Sequence, residues 1–89
     1  MARTIWKFPL RVNDVQDIEM PRGATILHVN LQYNTICLWA LVDPDATRER
    51  RLIAICGTGH SAPDDGRYIG SVMMMGGDLV FHVFERPEA

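Results

Sequence analysis

No stretch of this sequence is both apolar and long enough to cross a membrane, and no general excess of basic residues is present. The formal net charge is −2, so there is no positive field to attract a phosphate backbone, and we do not expect nucleic-acid binding. Residues 1–8 lack the basic segment and apolar stretch of a secretory signal. These absences predict a cytoplasmic protein that does not associate with a membrane.

Cysteine is scarce, which excludes a disulfide-stapled scaffold. The two cysteines, Cys37 and Cys56, also lack the paired C-x-x-C spacing of a structural zinc site. The spacing of His28, His60 and His82 does not require them to converge on an ion. We therefore predict reduced thiols, no metal site and no cofactor.

Motifs of nucleophilic catalysis and of phosphate-binding loops are also missing. No G-x-S-x-G elbow occurs, and Gly57-Thr58-Gly59 lacks the Lys-[Ser/Thr] ending of a phosphate-binding loop. We assign no catalytic residue on this basis. The sequence favours a non-enzymatic protein over an enzyme.

Short apolar stretches rich in β-branched and aromatic residues, separated by turn residues, make up most of the 89 residues. A chain of this length supports one hydrophobic core, so residues 1–89 are predicted to form one domain. We predict an all-β, mainly antiparallel meander that closes into a barrel or a sandwich, with at most one short helical turn, at Asp43–Ala46. The predicted strands are Thr4–Val12, Val15–Met20, Thr25–Gln32, Thr35–Val42, Arg50–Gly57, Tyr68–Met75 and Asp78–Arg86.

Turn positions predict the register of two hairpins. A two-residue turn at Gly76-Gly77 places Val72 opposite Phe81 and Ser71 opposite His82. A hairpin symmetric about Ala46-Thr47 places Cys37 opposite Cys56. The two thiols are then expected to be cross-strand neighbours.

Alternation along the central strands separates two faces. The face predicted to form the core is wholly aliphatic and consists of Leu27, Val29, Leu31, Ile36, Leu38, Ala40, Val42, Ile53 and Ile55. The opposite face contains Trp39 among polar and apolar residues, and it is too apolar to be simply solvated. The first two strands, another subunit or a ligand could cover it, so Trp39 is a core residue, an interface anchor or a stacking platform.

The longest segment without strand character, Gly57–Gly66, is the first candidate for a chemical site. It brings Thr58, His60, Asp64 and Asp65 into one glycine-containing loop, where His60 could accept or donate a proton near neutral pH. The competing interpretation is a solvated loop whose glycines and Pro63 supply turn geometry.

A cluster of arginines is the second candidate. Arg48, Arg50 and Arg51 lie in or next to a predicted turn, where guanidinium groups could bind a phosphate or carboxylate bidentately. The competing interpretation is a set of solvated residues that discourage edge-to-edge pairing of strands.

Six segments distributed along the chain resemble a known group of proteins. They are Thr4–Leu10, Ile18–Ala24, Leu38–Pro44, Gly57–His60, Tyr68–Gly70 and Gly77–Glu85. Together they resemble an uncharacterised family of small proteins encoded by bacteriophages, prophages and bacteria. The resemblance implies a phage-type accessory protein, a class that commonly blocks a host component or sequesters a small signalling molecule.

The expected function is therefore non-enzymatic binding, with an anti-defence role as one possibility. The expected partners are a host protein or a small, nucleotide-like anion, and small β domains of this size often associate into homo-oligomers. The alternatives are a small hydrolase that uses the Gly57–Gly66 loop and a structural or assembly component of a phage complex.

Overall fold

The structure, a computed structural model, describes residues 2–87 and consists of seven strands in two antiparallel sheets. The strands are β1 (Thr4–Pro9), β2 (Val15–Pro21), β3 (Thr25–Gln32), β4 (Thr35–Val42), β5 (Arg48–Gly57), β6 (Arg67–Met74) and β7 (Leu79–Arg86). Sheet A has the order β1-β4-β3, and sheet B has the order β2-β5-β7-β6. The all-β, antiparallel prediction is confirmed, and neither sheet closes into a barrel.

One apolar core joins the two sheets. Ile36, Leu38, Ala40 and Val42, on alternate positions of β4, are at most 1% exposed, as expected for a strand with one buried face. Sheet B contributes a second set of buried residues: Met20, Ile53, Ile55, Val72 and Val83. The predicted core face is therefore largely confirmed.

Leu27 is the exception to the predicted core face, because it is 49% exposed. The pairing of β3 with β4 shifts register between Ile26 and His28. This β-bulge leaves Leu27 as an extra residue, and Ile26 takes the buried position instead. Strict alternation could not predict the change of face.

The predicted hairpin between β4 and β5 is wrong. β4 pairs with β1 and β3, whereas β5 pairs with β2 and β7, so the connection crosses from one sheet to the other. Cys37 and Cys56 consequently lie in different sheets, and both are free thiols. The crossing segment contains a turn closed by Ala46 N–H donating to Asp43 O at 3.1 Å, not a helical turn.

The first two strands do not cover the Trp39 face. β1 lies beside β4 within sheet A, and β2 lies in sheet B. Sheet B packs on the aliphatic face of β4, so Trp39 points away from the core. It is half-buried and lies 6.3 Å from the His28 ring, centroid to centroid.

The hairpin between β6 and β7 has the predicted register, with Val72 opposite Phe81 and Ser71 opposite His82. Its turn is longer than the predicted Gly76-Gly77 pair, because the last paired residues are Met74 and Leu79. A short 3-10 turn at Met75–Gly77 occupies the connection.

Gly70 determines how closely the sheets approach where β3 meets β6. A Cβ atom added at Gly70 would lie 2.9 Å from Val29 Cγ1, which is inside van der Waals contact. Val29 is buried and, being β-branched, has little rotational freedom to withdraw. Only glycine fits this contact without a shift of the Val29 side chain or of a strand.

We expect Gly70→Ala to lower the free energy of unfolding by about 1–3 kcal/mol, because it overpacks the contact between the sheets. Urea denaturation measures this loss. Ser71→Ala, on the exposed neighbour, is the matched control and should change stability by less than about 0.5 kcal/mol. In a Val29→Ala background, Gly70→Ala should lower the free energy of unfolding by less. An equal loss in that background would mean that the contact with Val29 is not the cause.

Candidate functional site

Four arginines surround a cleft at one end of sheet B, where β5 and β6 begin and β7 ends. We call it the arginine cleft; its volume is about 470 Å³, within the usual range for small-molecule sites. It is lined by Glu49, Arg50, Arg51, Leu52, Gly66, Arg67, Glu85, Arg86 and Pro87. Positive charge is thus concentrated here in a chain whose net charge is −2.

Arg51 forms the fixed, charged wall of the arginine cleft. Its Nε and Nη2 donate to the two carboxylate oxygens of Glu85, and its Nη1 donates to Ala24 O at 2.9 Å. The two charged side chains are only 16% and 17% exposed. The hydrogen bond to Glu85 raises the pKa of Arg51 above its ordinary value, although burial opposes the shift. The guanidinium therefore stays protonated.

The other three arginines are held loosely. Arg50 pairs with Asp17 at 3.3 Å and Arg86 with Asp65 at 3.1 Å, and these four side chains are 38–66% exposed. Arg67, 62% exposed, lies 3.5 Å from Glu85. Exposed ion pairs contribute about 0–1 kcal/mol, so these guanidinium groups can turn towards another anion at small cost.

Gly66 brings Arg67 against Glu85. Its φ of +113° and the 2.7 Å separation between an added Cβ and Glu85 O mean that a side chain would clash with the backbone of β7. Glycine tolerates this backbone conformation. The turn before β6 can therefore press closely against the end of β7.

A second cavity, of about 680 Å³, lies at the opposite end of sheet B. We call it the loop cavity. Thr58, His60 and Ser61, from the predicted loop, line it together with the β1–β2 connection and the start of β7. His60 N–H donates to Gly57 O at 3.0 Å, closing a turn that places the imidazole over Gly57.

The predicted site residues are thus divided among several places. Arg50 and Arg51 line the arginine cleft, whereas Thr58 and His60 line the loop cavity. Arg48 lies elsewhere: its guanidinium is 5.4 Å from the Trp6 ring centroid, and its Nη1 donates to Ala46 O at 2.8 Å. Trp39 lies on the outer face of sheet A, beside His28, and lines neither cavity.

The two acidic residues of the predicted loop do not join His60. Asp65 pairs with Arg86 beside the arginine cleft, and Asp64 is exposed and lines neither cavity. The loop therefore does not assemble a site from His60 and these carboxylates. Across residues 2–87, no three metal-ligating side chains converge, and no helix is long and apolar enough to span a membrane.

Sequence reasoning missed Arg67, Arg86 and Glu85 as members of the cleft. The register of the β6–β7 hairpin was a usable signal, because extending it places the start of β6 beside the end of β7. The register shift between Tyr68 and Gly70 then sets Arg67 directly opposite Glu85. The pairing of β5 with β7, which brings Arg51 to Glu85, had no comparable local signal.

The fold and the cleft define a small two-sheet β domain with an arginine-lined site at one end. The chain belongs to the DUF7352 family, a domain of unknown function, which matches residues 1–89. No curated protein and no solved structure matches it. Membership of a family of unknown function is confirmed; the phage origin implied by the resemblance stays a prediction.

The Arg51–Glu85 pair gives a stability test. Glu85→Ala leaves a largely buried guanidinium without its main partner, so we expect the free energy of unfolding to fall by about 2 kcal/mol. Urea denaturation provides the measurement. Glu19→Ala, which removes an exposed carboxylate from the same sheet, should cost less than about 0.5 kcal/mol. Equal effects of the two variants would mean that the pair contributes no special stability.

Proposed function

We propose that this domain binds a small phosphate-bearing ligand, without turnover, in the arginine cleft. The observation that carries the proposal is the convergence of Arg50, Arg51, Arg67 and Arg86 on one cleft of about 470 Å³. Guanidinium groups match phosphate oxygens in a planar, bidentate geometry. The two lining carboxylates, Glu49 and Glu85, leave the described lining with a formal charge of +2.

The arginines of the cleft differ in how firmly their partners hold them. Glu85 and Ala24 hold Arg51 in place, so its charge is positioned before a ligand arrives. Arg50 and Arg86 must release exposed partners, Asp17 and Asp65, before they can contact a phosphate. A phosphate therefore competes with weak, solvent-screened pairs and leaves the buried pair intact.

A nucleotide-like ligand fits the remaining lining. Leu52 and Pro87 supply apolar surface beside the guanidinium groups, so a base or a similar group can pack there while the phosphate is held by charge. A protein that retains such a ligand without converting it acts by sequestering it. That role agrees with the phage-type accessory function implied by the family resemblance, of which anti-defence is one form.

The setting that we propose is the cytoplasm. Cys37 and Cys56 are free and lie in different sheets, which fits a reducing compartment. We also propose a homo-oligomer, because the Trp39 face is not covered by the first two strands. Native mass spectrometry of the purified protein would report both the oligomeric state and any retained anion.

Isothermal titration with pyrophosphate and with nucleoside mono-, di- and triphosphates tests the site. We expect saturable binding that weakens as salt is raised. Arg50→Ala and Arg67→Ala should each weaken it about tenfold, the equivalent of one charge-assisted hydrogen bond of about 1.5 kcal/mol. Arg3→Ala, an exposed arginine outside the cleft, is the matched control and should bind as the unaltered protein does.

Two results would contradict the proposal. One is that no phosphate-bearing probe binds to folded protein; the other is that Arg3→Ala weakens binding as much as the cleft variants, which would mean non-specific attraction. Capture of a specific host protein, or recovery only with phage particles, would instead favour the blocking or assembly roles.

A further inference from the structure

Two hydroxyl groups hold one histidine on the outer face of sheet B. Thr58 Oγ1 lies 2.7 Å from His82 Nε2, and Tyr68 Oη lies 2.9 Å from His82 Nδ1. Thr58 follows β5, Tyr68 is in β6 and His82 is in β7 between them. Both ring nitrogens of His82 are therefore engaged, one by a hydroxyl of β6 and the other by a hydroxyl just after β5.

In a neutral imidazole, one of these two hydrogen bonds is donated by the ring and the other is accepted by it. A neutral imidazole has one N–H donor and one nitrogen acceptor. With the proton on Nδ1, His82 donates to Tyr68 Oη, and Nε2 accepts from the Thr58 hydroxyl. Tyr68 also packs edge-on against Phe84, with ring centroids 5.1 Å apart, which restrains the phenol. Thr58, His82 and Tyr68 are therefore arranged as a nucleophile, a base and a group that orients the base.

Thr58 is the member of this set that reaches a cavity. It lines the loop cavity, whereas His82 and Tyr68 do not. A substrate in the cavity would therefore lie beside Thr58, the residue whose hydroxyl is hydrogen-bonded to the imidazole.

The loop cavity and the arginine cleft differ in chemistry. Apolar side chains of the cavity include Val12, Ile55, Leu79, Val80 and Phe81. Its carboxylates are Asp14 and Asp78, and no Arg or Lys lies among its described lining residues. An uncharged or cationic ligand suits this lining better than an anion. The two sites also lie at opposite ends of sheet B.

We propose that Thr58 is an acyl-accepting nucleophile for small uncharged or cationic esters, with His82 as its general base and Tyr68 as a positioning residue. Thr58 Oγ1 attacks the ester carbon while its proton moves to His82 Nε2. The bond to the leaving oxygen then breaks, and that oxygen takes the proton from Nε2. Water attacks the acyl-threonine in the same way, His82 returns the proton to Thr58 Oγ1, and the carboxylic acid departs. The arginine cleft takes no part in this reaction.

Hydrolysis of p-nitrophenyl acetate by the full chain tests the proposal. We expect steady release of nitrophenol beyond one equivalent, and peptide mapping after rapid quenching should find one acetyl group on Thr58. Thr58→Val, which keeps the shape of the side chain, should abolish this acetylation. Thr58→Ser should retain it.

Substitution of the other two members separates their roles. His82→Gln should lower the rate about 100-fold, the lower end of what a general base contributes. Tyr68→Phe should lower kcat and leave KM unchanged, because the phenol orients the imidazole and does not bind the ester. Thr35→Ala, an exposed threonine in the β3–β4 hairpin, is the matched control and should have no effect.

Other nucleophiles near the cavity could be acetylated in place of Thr58, and this result would contradict the proposal. Cys56 and His60 also line the loop cavity and can react with an activated ester. Acetyl groups found on those residues with none on Thr58, or an unchanged rate in folded Thr58→Val, would overturn the proposal. These readouts do not depend on phosphate binding, so the two proposals can fail separately.

Discussion

The arrangement of sheet B depends on one ion pair placed at the edge of an otherwise apolar core. Arg51 lies two residues before Ile53 on β5 and shares its alternation, so it would be expected to cost free energy by its burial. Glu85 on β7 and the Ala24 carbonyl satisfy its guanidinium. One side chain thereby ties β5, β7 and the turn that leads into sheet A.

This pair also determines what can form around it. Glu85 is already hydrogen-bonded to Arg51, so Arg67 shares that carboxylate, whereas Arg50 and Arg86 pair with exposed aspartates. Buried carboxylates therefore do not fully neutralise the positive charge of the cleft. At the other end of the sheet, the lining contains carboxylates and apolar side chains. The two ends of sheet B thus differ in electrostatic character, and the two proposals assign different ligands to them.

Local sequence signals predicted the elements well. Alternating apolar residues located all seven strands. Tyr33 and Asn34, both with positive φ, form the two-residue turn between β3 and β4. Sheet membership could not be predicted in the same way, because the β4–β5 connection looks like a hairpin turn yet crosses between sheets. The bulge at Leu27 is a register shift in the pairing of β3 with β4, and no short window of sequence marks it.

The candidate sites show the same division. The arginines at Arg50 and Arg51 and the loop residues Thr58 and His60 could be selected by residue type alone. The partners of Arg51 and Thr58 could not be selected in this way. Glu85 reaches Arg51, and His82 reaches Thr58, only through the pairing of β5 with β7. Grouping candidates by their distance along the chain led to His60 with Asp64 and Asp65, which the fold does not bring together.

The most direct measurement of the central claim is a titration of the ¹⁵N-labelled protein with pyrophosphate, followed through the arginine side-chain Nε–H resonances. The account predicts saturable shifts confined to Arg50, Arg51, Arg67 and Arg86, with Arg3 and the Thr58 amide unmoved. Equal shifts at arginines throughout the chain, or none that saturate, would contradict a specific anion site in the arginine cleft.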